Sequence, residues 1–142
     1  MIAIDTNLLV YAHRRGTGEH RAARKSIERA AEDPRGWGIA LQSVGEFWSV
    51  VTHASAAGGA SSTTQAAAFL RNLRADAGMI VWTPGTGFDE RLLQLAEDLQ
   101  VAGPRVFDLQ IALTVFEHGA SELWTHDRSF VKLPGLRLVH PL

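Results

Sequence analysis

Four carboxylates stand where carboxylates are uncommon. Asp5 closes the apolar run Ile2-Ala3-Ile4, and Glu46 interrupts SVGEFWSVV, an otherwise apolar segment with helical spacing. Asp108 sits where RVF passes into LQIALTVF, and Asp127 directly follows the strand-like LWTH. Taken singly, each acid has an ordinary use. Asp5 and Asp108 suit the N-cap of the helix that follows each. Glu46 suits a partly exposed site or an arginine partner, and Asp127 an Asx-type turn. Taken together, they suit something else. Three or four carboxylates within a few ångströms of one another cannot all stay ionised unless a cation joins them. A hard divalent ion meets that need. Mg²⁺ and Mn²⁺ prefer oxygen ligands, and Mg²⁺ keeps several waters while taking one or two carboxylates and phosphate oxygens.

Whether the acids meet depends on the elements that carry them. Residues 2–4 read as a strand and 6–13 as a helix with Leu8, Leu9 and Ala12 on one side. Residues 19–32 have helix composition with Ala23, Ile27, Ala30 and Ala31 as the apolar stripe, stopped by DPRG. WGIAL (37–41) suits a strand, and QSVGEFWSVVTHA (42–54) a helix through Val44, Phe47, Trp48 and Val51. AAGGASS (56–62) is a candidate mobile loop whose serines can cap the helix TTQAAAFLRNLRADA. Residues 79–82 read as a strand. Residues 88–101 read as a helix burying Phe88, Leu92, Leu95, Ala96 and Leu99, and FDLQIALTVFEHG (107–119) as a helix ended by Gly119. SELWTHD and LRLVH give two final strands. This alternation predicts an α/β fold with a mostly parallel sheet. In such sheets ligands bind beyond the carboxyl ends of the strands. Asp5, Asp108 and Asp127 would arrive there from three directions, and Glu46 from the helix after the second strand.

At 142 residues, 46% of them hydrophobic, the chain suits a single domain (1–142) with a real core. Fourteen Lys and Arg against fifteen Asp and Glu leave no overall field, so any nucleic-acid site must be a local patch. There is no cysteine, which excludes disulfides and thiolate metal sites. MIAID has no basic or long apolar leader character, and no run approaches the ~20 apolar residues of a membrane span. A cytoplasmic protein without membrane attachment is expected.

IDTNLLVY, SVGEFWSVV, FDLQIAL and LWTHDRSF, in this order and spacing, resemble the PIN domain in its VapC-type form, the toxin of bacterial toxin–antitoxin pairs. The resemblance spans nearly the whole chain. It implies a three-layer α/β/α sandwich around a parallel sheet and an endoribonuclease that hydrolyses RNA with Mg²⁺ or Mn²⁺. Carried over residue by residue, Asp5, Glu46 and Asp108 match the metal-binding acids. Asp127 matches a fourth, more variable one, and Thr6 and Thr125 match hydroxyl positions beside them. Leu109 and Gln110 are bulkier than the residues many members carry after the acid, which bears on groove shape and substrate choice.

Phosphodiester hydrolysis needs an activated water and relief of charge on the phosphoryl oxygens, and a divalent ion provides both. Asp5 and Asp108 are expected as the direct ligands. Glu46 is expected to hold or orient the attacking water, and Asp127 to bind a second ion or act through water. Thr6, Asn7 and Thr125 would fix the carboxylates by hydrogen bonds, with capping and turn bonding as their alternative use. Arg14, Arg15, Arg21, Arg24, Lys25 and Arg29 fall within sixteen residues, and Arg21, Lys25 and Arg29 share a helix face. They are candidates to track RNA phosphates, with Arg128 nearer the acids. The alternative is a solvated face balanced by Glu28 and Glu32. His13 and His126 are expected to be structural, and Trp37, Trp48, Trp82 and Trp124 to pack in the core.

The resemblance also implies a cognate antitoxin and a homodimer or toxin–antitoxin hetero-oligomer. AAAFL (66–70) and FWSVV (47–51) could offer apolar residues to a partner helix. Three rivals stand beside this reading. A haloacid-dehalogenase-like phosphatase needs an Asp where Asn7 stands. A response-regulator receiver needs an additional acidic pair near the N-terminus and a Lys near the end of a late strand, and Asp5 has no acidic neighbour. A non-catalytic PIN-like binding module would have lost acids that are present here.

Overall fold

The computed structural model describes residues 1–56 and 58–142. Ala57, in the loop AAGGASS, lies outside the described residues, and with it part of the predicted mobile loop. The elements run β1 (Ile2–Ile4), α1 (Thr6–His13), α2 (His20–Ala31), β2 (Trp37–Ala40), α3 (Leu41–Thr52), α4 (Thr63–Ala77), β3 (Ile80–Trp82), α5 (Phe88–Asp98), α6 (Arg105–Glu117), β4 (Glu122–Trp124) and β5 (Arg137–Val139). The sheet has the order β3-β2-β1-β4-β5, and all four pairings are parallel. Reversal of the order on either side of β1 makes the carboxyl end of that strand the point where the two halves of the sheet diverge.

The alternation of side chains along each strand splits the core into two layers. Ile2, Ile4, Trp37, Ile39 and Trp124 face one way and pack with Leu8, Leu9, Ile27, Phe47 and Val51 of α1–α3. Ala3, Ala40 and Leu123 face the other way and pack with Ile111, Ala112 and Val115 of α6, and with Phe130 and Leu133. The result is the expected three-layer sandwich. Gly38 is required at its place in β2 because a Cβ there would overlap the carbonyl of Ile80 on the neighbouring strand.

Helix ends follow their chemistry. Ser62 accepts from the Gln65 amide at 3.0 Å while the Gln65 side chain accepts from the Ser62 amide at 2.9 Å, so the predicted serine cap is a full capping box. Gly119, at φ 92°, lies just past α6. Three details depart from expectation. α6 begins at Arg105, with Pro104 at its N-cap, so Asp108 lies inside the first turn and caps nothing. In α5 only Phe88 is buried, and Leu93 is 63% exposed, because this helix rests against α6 at the periphery. Trp48 is not a core residue: it and Val50 stand half exposed on α3, whereas Trp37, Trp82 and Trp124 are buried. Among the described residues no helix is long and apolar enough to cross a membrane.

Candidate active site at the carboxyl edge of the sheet

Asp5 is placed by two elements at once. Its amide continues the β-ladder to the Trp124 carbonyl at 2.9 Å, and its side chain accepts from the Thr6 amide at 2.7 Å as the N-cap of α1. The capping role and the site role are therefore one geometry. The second carboxylate oxygen accepts from the Thr125 hydroxyl at 2.7 Å and from Asn7 Nδ2 at 3.1 Å. Asn7 Nδ2 also reaches Thr125 Oγ1 at 3.2 Å, and its Oδ1 accepts from the His126 amide at 3.1 Å. Asn7 thus ties the segment after β1 to the segment after β4. Thr125 is fully buried, and its hydroxyl also accepts from the Asp127 amide at 3.0 Å.

The remaining acids come from separate elements. Glu46 stands in the second turn of α3, and its Oε2 accepts from the Thr6 hydroxyl at 2.8 Å. Asp108 projects from the first turn of α6 into a cleft that Asp127 shares. Asp127 is held as a turn residue, its Oδ1 accepting from both the amide and the hydroxyl of Ser129 at 2.8 Å.

Two of the four acids, Asp5 and Asp108, are raised. Burial, followed by the negative charges of Glu46 and Asp108, pushes the Asp5 carboxyl from 3.8 up to about 6, against the lowering hydrogen bonds from Thr125 and Thr6. Burial raises Asp108 as well, with further contributions from the charges of Asp127 and Glu46, while Val131 and Arg105 pull the other way. No arginine or lysine forms an ion pair with any of the four among the described residues. The donor set is all oxygen, which fits a hard cation and not a thiophilic one. Among the described residues, however, no three of these side chains close on one point as a ready-made cage. Mg²⁺ as a rule takes one or two carboxylates and fills its octahedron with water and phosphate oxygens.

Other sequence candidates lie in different surroundings. Arg14 donates to the carbonyls of Val50 and Val51 at 3.4 Å, tying it to the end of α3. Arg15 and Arg24 line a cleft between α2 and α4, and Arg21 and Lys25 stand exposed on α2. The guanidinium of Arg29 stacks over Trp124, 5.0 Å from the ring centre, in a cleft with Glu122 and Arg137 near the starts of the strands. Of the predicted phosphate-binding side chains, only Arg128 shares the cleft of Asp108 and Asp127. That cleft also holds Arg105 and Lys132, which the sequence reading did not single out. Arg105 lies three positions before Asp108, one helical turn, and that spacing was the available signal. Leu109 is fully buried, so its bulk shapes the core and not the groove. His13 bonds Ser61 Oγ at 2.8 Å and meets Phe47 and Phe69 edge-on, and the His126 ring meets Tyr11 edge-on at 5.6 Å. Neither ring is bonded to an acid of the site.

A family model described as PIN domain matches residues 2–136. The chain belongs to the PIN-domain family. This PIN domain is 32% identical over 142 residues to the VapC ribonuclease Mb2897 of Mycobacterium bovis and to ribonuclease VapC43 of Mycobacterium tuberculosis, covering all of this chain and 96% of each relative. It is 26% identical to ribonuclease VapC48 of M. tuberculosis, over 96% of this chain and 94% of that one. Among solved structures it resembles M. tuberculosis VapC20, described as a sarcin-ricin loop cleaving toxin, with a TM-score of 0.68, 15% identity and 92% of each chain covered. At that identity the likeness speaks for the fold. The family assignment sets aside the phosphatase and receiver alternatives.

Proposed function

We propose that this PIN domain is a divalent-cation-dependent endoribonuclease, the toxin of a toxin–antitoxin pair, working in the cytoplasm with Mg²⁺ or Mn²⁺. The full-length similarity to proteins named VapC ribonucleases supports the substrate and the toxin role. The observation that carries the chemistry is the Asp5 carboxyl, buried without a basic partner and raised further by Glu46 and Asp108.

Asp5 and Asp108 would hold the ion directly, with Glu46 and Asp127 reaching it through water. The bound ion supplies an activated water and neutralises charge gathering on the phosphoryl oxygens. The chain supplies the positioning. Thr125 and Asn7 fix one Asp5 oxygen while the Thr6 amide fixes the other, so the carboxylate does not have to be ordered at the moment of reaction. Thr6 holds Glu46 by its Oε2 and leaves Oε1 to orient the attacking water. The α1 and α6 N-termini lie beside Asp5 and Asp108, where their dipoles favour the ionised forms. Apolar residues left open on α3, Trp48 and Val50, are candidates for the surface met by an antitoxin or a second copy.

The test is cleavage of a mixed RNA pool by the purified chain and by Asp5→Asn, in Mg²⁺, in Mn²⁺ and with chelator. Cleavage in either metal, lost with chelator and in the variant, is expected, as is arrested growth on expression that the same substitution relieves. Absence of cutting throughout, or cutting indifferent to Asp5→Asn, would refute the proposal.

A further inference from the structure

The cleft beside the acids has a chemistry of its own. It is lined by Pro104 and Arg105 at the start of α6, by the segment from Asp127 to Lys132, and by Gln100 in the turn after α5. Arg105, Arg128 and Lys132 all line it, and all are exposed. None of the three takes part in an ion pair among the described residues, although Asp108 and Asp127 line the same cleft. Arg105 instead reaches the Ser129 carbonyl at 3.4 Å, bridging the start of α6 and the 127–132 segment. At the opposite edge of the sheet, Arg35 pairs with Asp33 and Arg137 with Glu122, while Arg29 stacks on Trp124. Cations left unpaired beside acids are placed to meet a ligand that carries its own negative charge.

A second observation concerns the backbone. Gln100 has φ 51°, the one non-glycine residue with positive φ among those described. It occupies the left-handed position after α5, where its amide bonds the Glu97 carbonyl and the Val101 amide bonds that of Ala96. Glycine is the residue that adopts this conformation without strain. This chain keeps there a side chain with two donors and an acceptor, exposed on the lining of the cleft.

We propose that this cleft seats the RNA strand next to the bond to be cut, with Arg105, Arg128 and Lys132 neutralising successive backbone phosphates and the Gln100 amide bonding a sugar or base. This rests on the ribonuclease reading and adds the direction from which the strand enters: across the N-terminus of α6, and not along the basic face of α2.

The test uses the cleavage-dead Asp5→Asn chain and a fluorescently labelled mixed-sequence RNA, with affinity read by anisotropy across a salt series. Removal of each phosphate contact should lower the slope of log affinity against log salt by about 0.7. Arg105→Ala, Arg128→Ala and Lys132→Ala combined should lower it by about 2 and weaken binding at low salt more than tenfold. Arg35→Ala, at the far edge, should leave both unchanged. Gln100→Gly should raise the melting temperature yet weaken RNA binding, which separates a ligand role from a folding role. An unaltered slope and affinity in the triple variant, while the parent chain still cuts RNA, would overturn this proposal alone. Failure of the parent chain to cut or bind RNA at all would overturn the ribonuclease reading and this proposal with it.

Discussion

Replacing Asp5 by Asn is expected to stabilise the fold while abolishing activity. The carboxyl is only 6% exposed and is held at about 6 in place of 3.8. Ionising it in the folded chain therefore costs about 3 kcal/mol relative to the unfolded chain. Because the folded-state value is the higher one, the associated stability is fully present below about pH 4 and is lost as pH rises through 6. Asn removes the charge, but its amide end would face Asn7 Nδ2, a second donor, where the carboxylate now accepts. That mismatch returns about 1 kcal/mol. The net gain at pH 7 is about 2 kcal/mol, or roughly 6 °C in melting temperature for a chain of this size. The assay is thermal unfolding from pH 4 to pH 8 in the presence of chelator. The variant should be slightly the less stable of the two at about pH 4, draw level near about pH 4.5 and gain on its parent until about pH 6.5. Carboxylates away from the site, such as Glu117 and Glu122, both lowered by their hydrogen-bond partners, cancel from that difference. Parallel pH profiles, or a variant less stable than its parent at pH 7, would refute the reasoning.

Other substitutions read neighbouring parts of the site. Thr125→Val removes the donor to Asp5 and the acceptor for Asp127 inside a buried position; it should cost about 2 kcal/mol and move the pH midpoint of stability upward, as read by denaturant unfolding across pH. Glu46→Gln keeps an oxygen for the Thr6 hydroxyl and should leave the melting temperature within about 2 °C, yet lower RNA cleavage about a hundredfold or more in a single-turnover assay. The Ser43 hydroxyl is fully buried and has no hydrogen-bond partner among the described residues, so Ser43→Ala should stabilise the chain by about 1 kcal/mol in urea unfolding.

What the sequence disclosed, and what it withheld, follows from the range of the forces involved. Asp5 and Asp127 could be read because an acid at the end of a short apolar strand is locally anomalous, and parallel alternation directs such ends to one edge. The capping box at Ser62 and the stop at Gly119 are likewise local chemistry. The environment of α5 and Trp48 was not legible. Helical spacing marks an apolar face but says nothing about whether another element covers it. Arg105 and Lys132 stayed hidden for the related reason that the approach of the 127–132 segment to the start of α6 is a tertiary event. The tie between Glu46 and Thr6 spans forty residues and joins two helices, so no local pattern announces it.

Asp5 and Asp108, both raised at the carboxyl edge of the sheet, are expected to hold a divalent ion. Crystals soaked in Mn²⁺ and measured at its absorption edge test it most directly. An anomalous peak is expected about 2.2 Å from a carboxylate oxygen of Asp5 and of Asp108, as for a hard divalent ion bound by oxygen, and no peak there in Asp5→Asn crystals. A featureless site at saturating Mn²⁺, or a peak bound elsewhere with both carboxylates untouched, would contradict it.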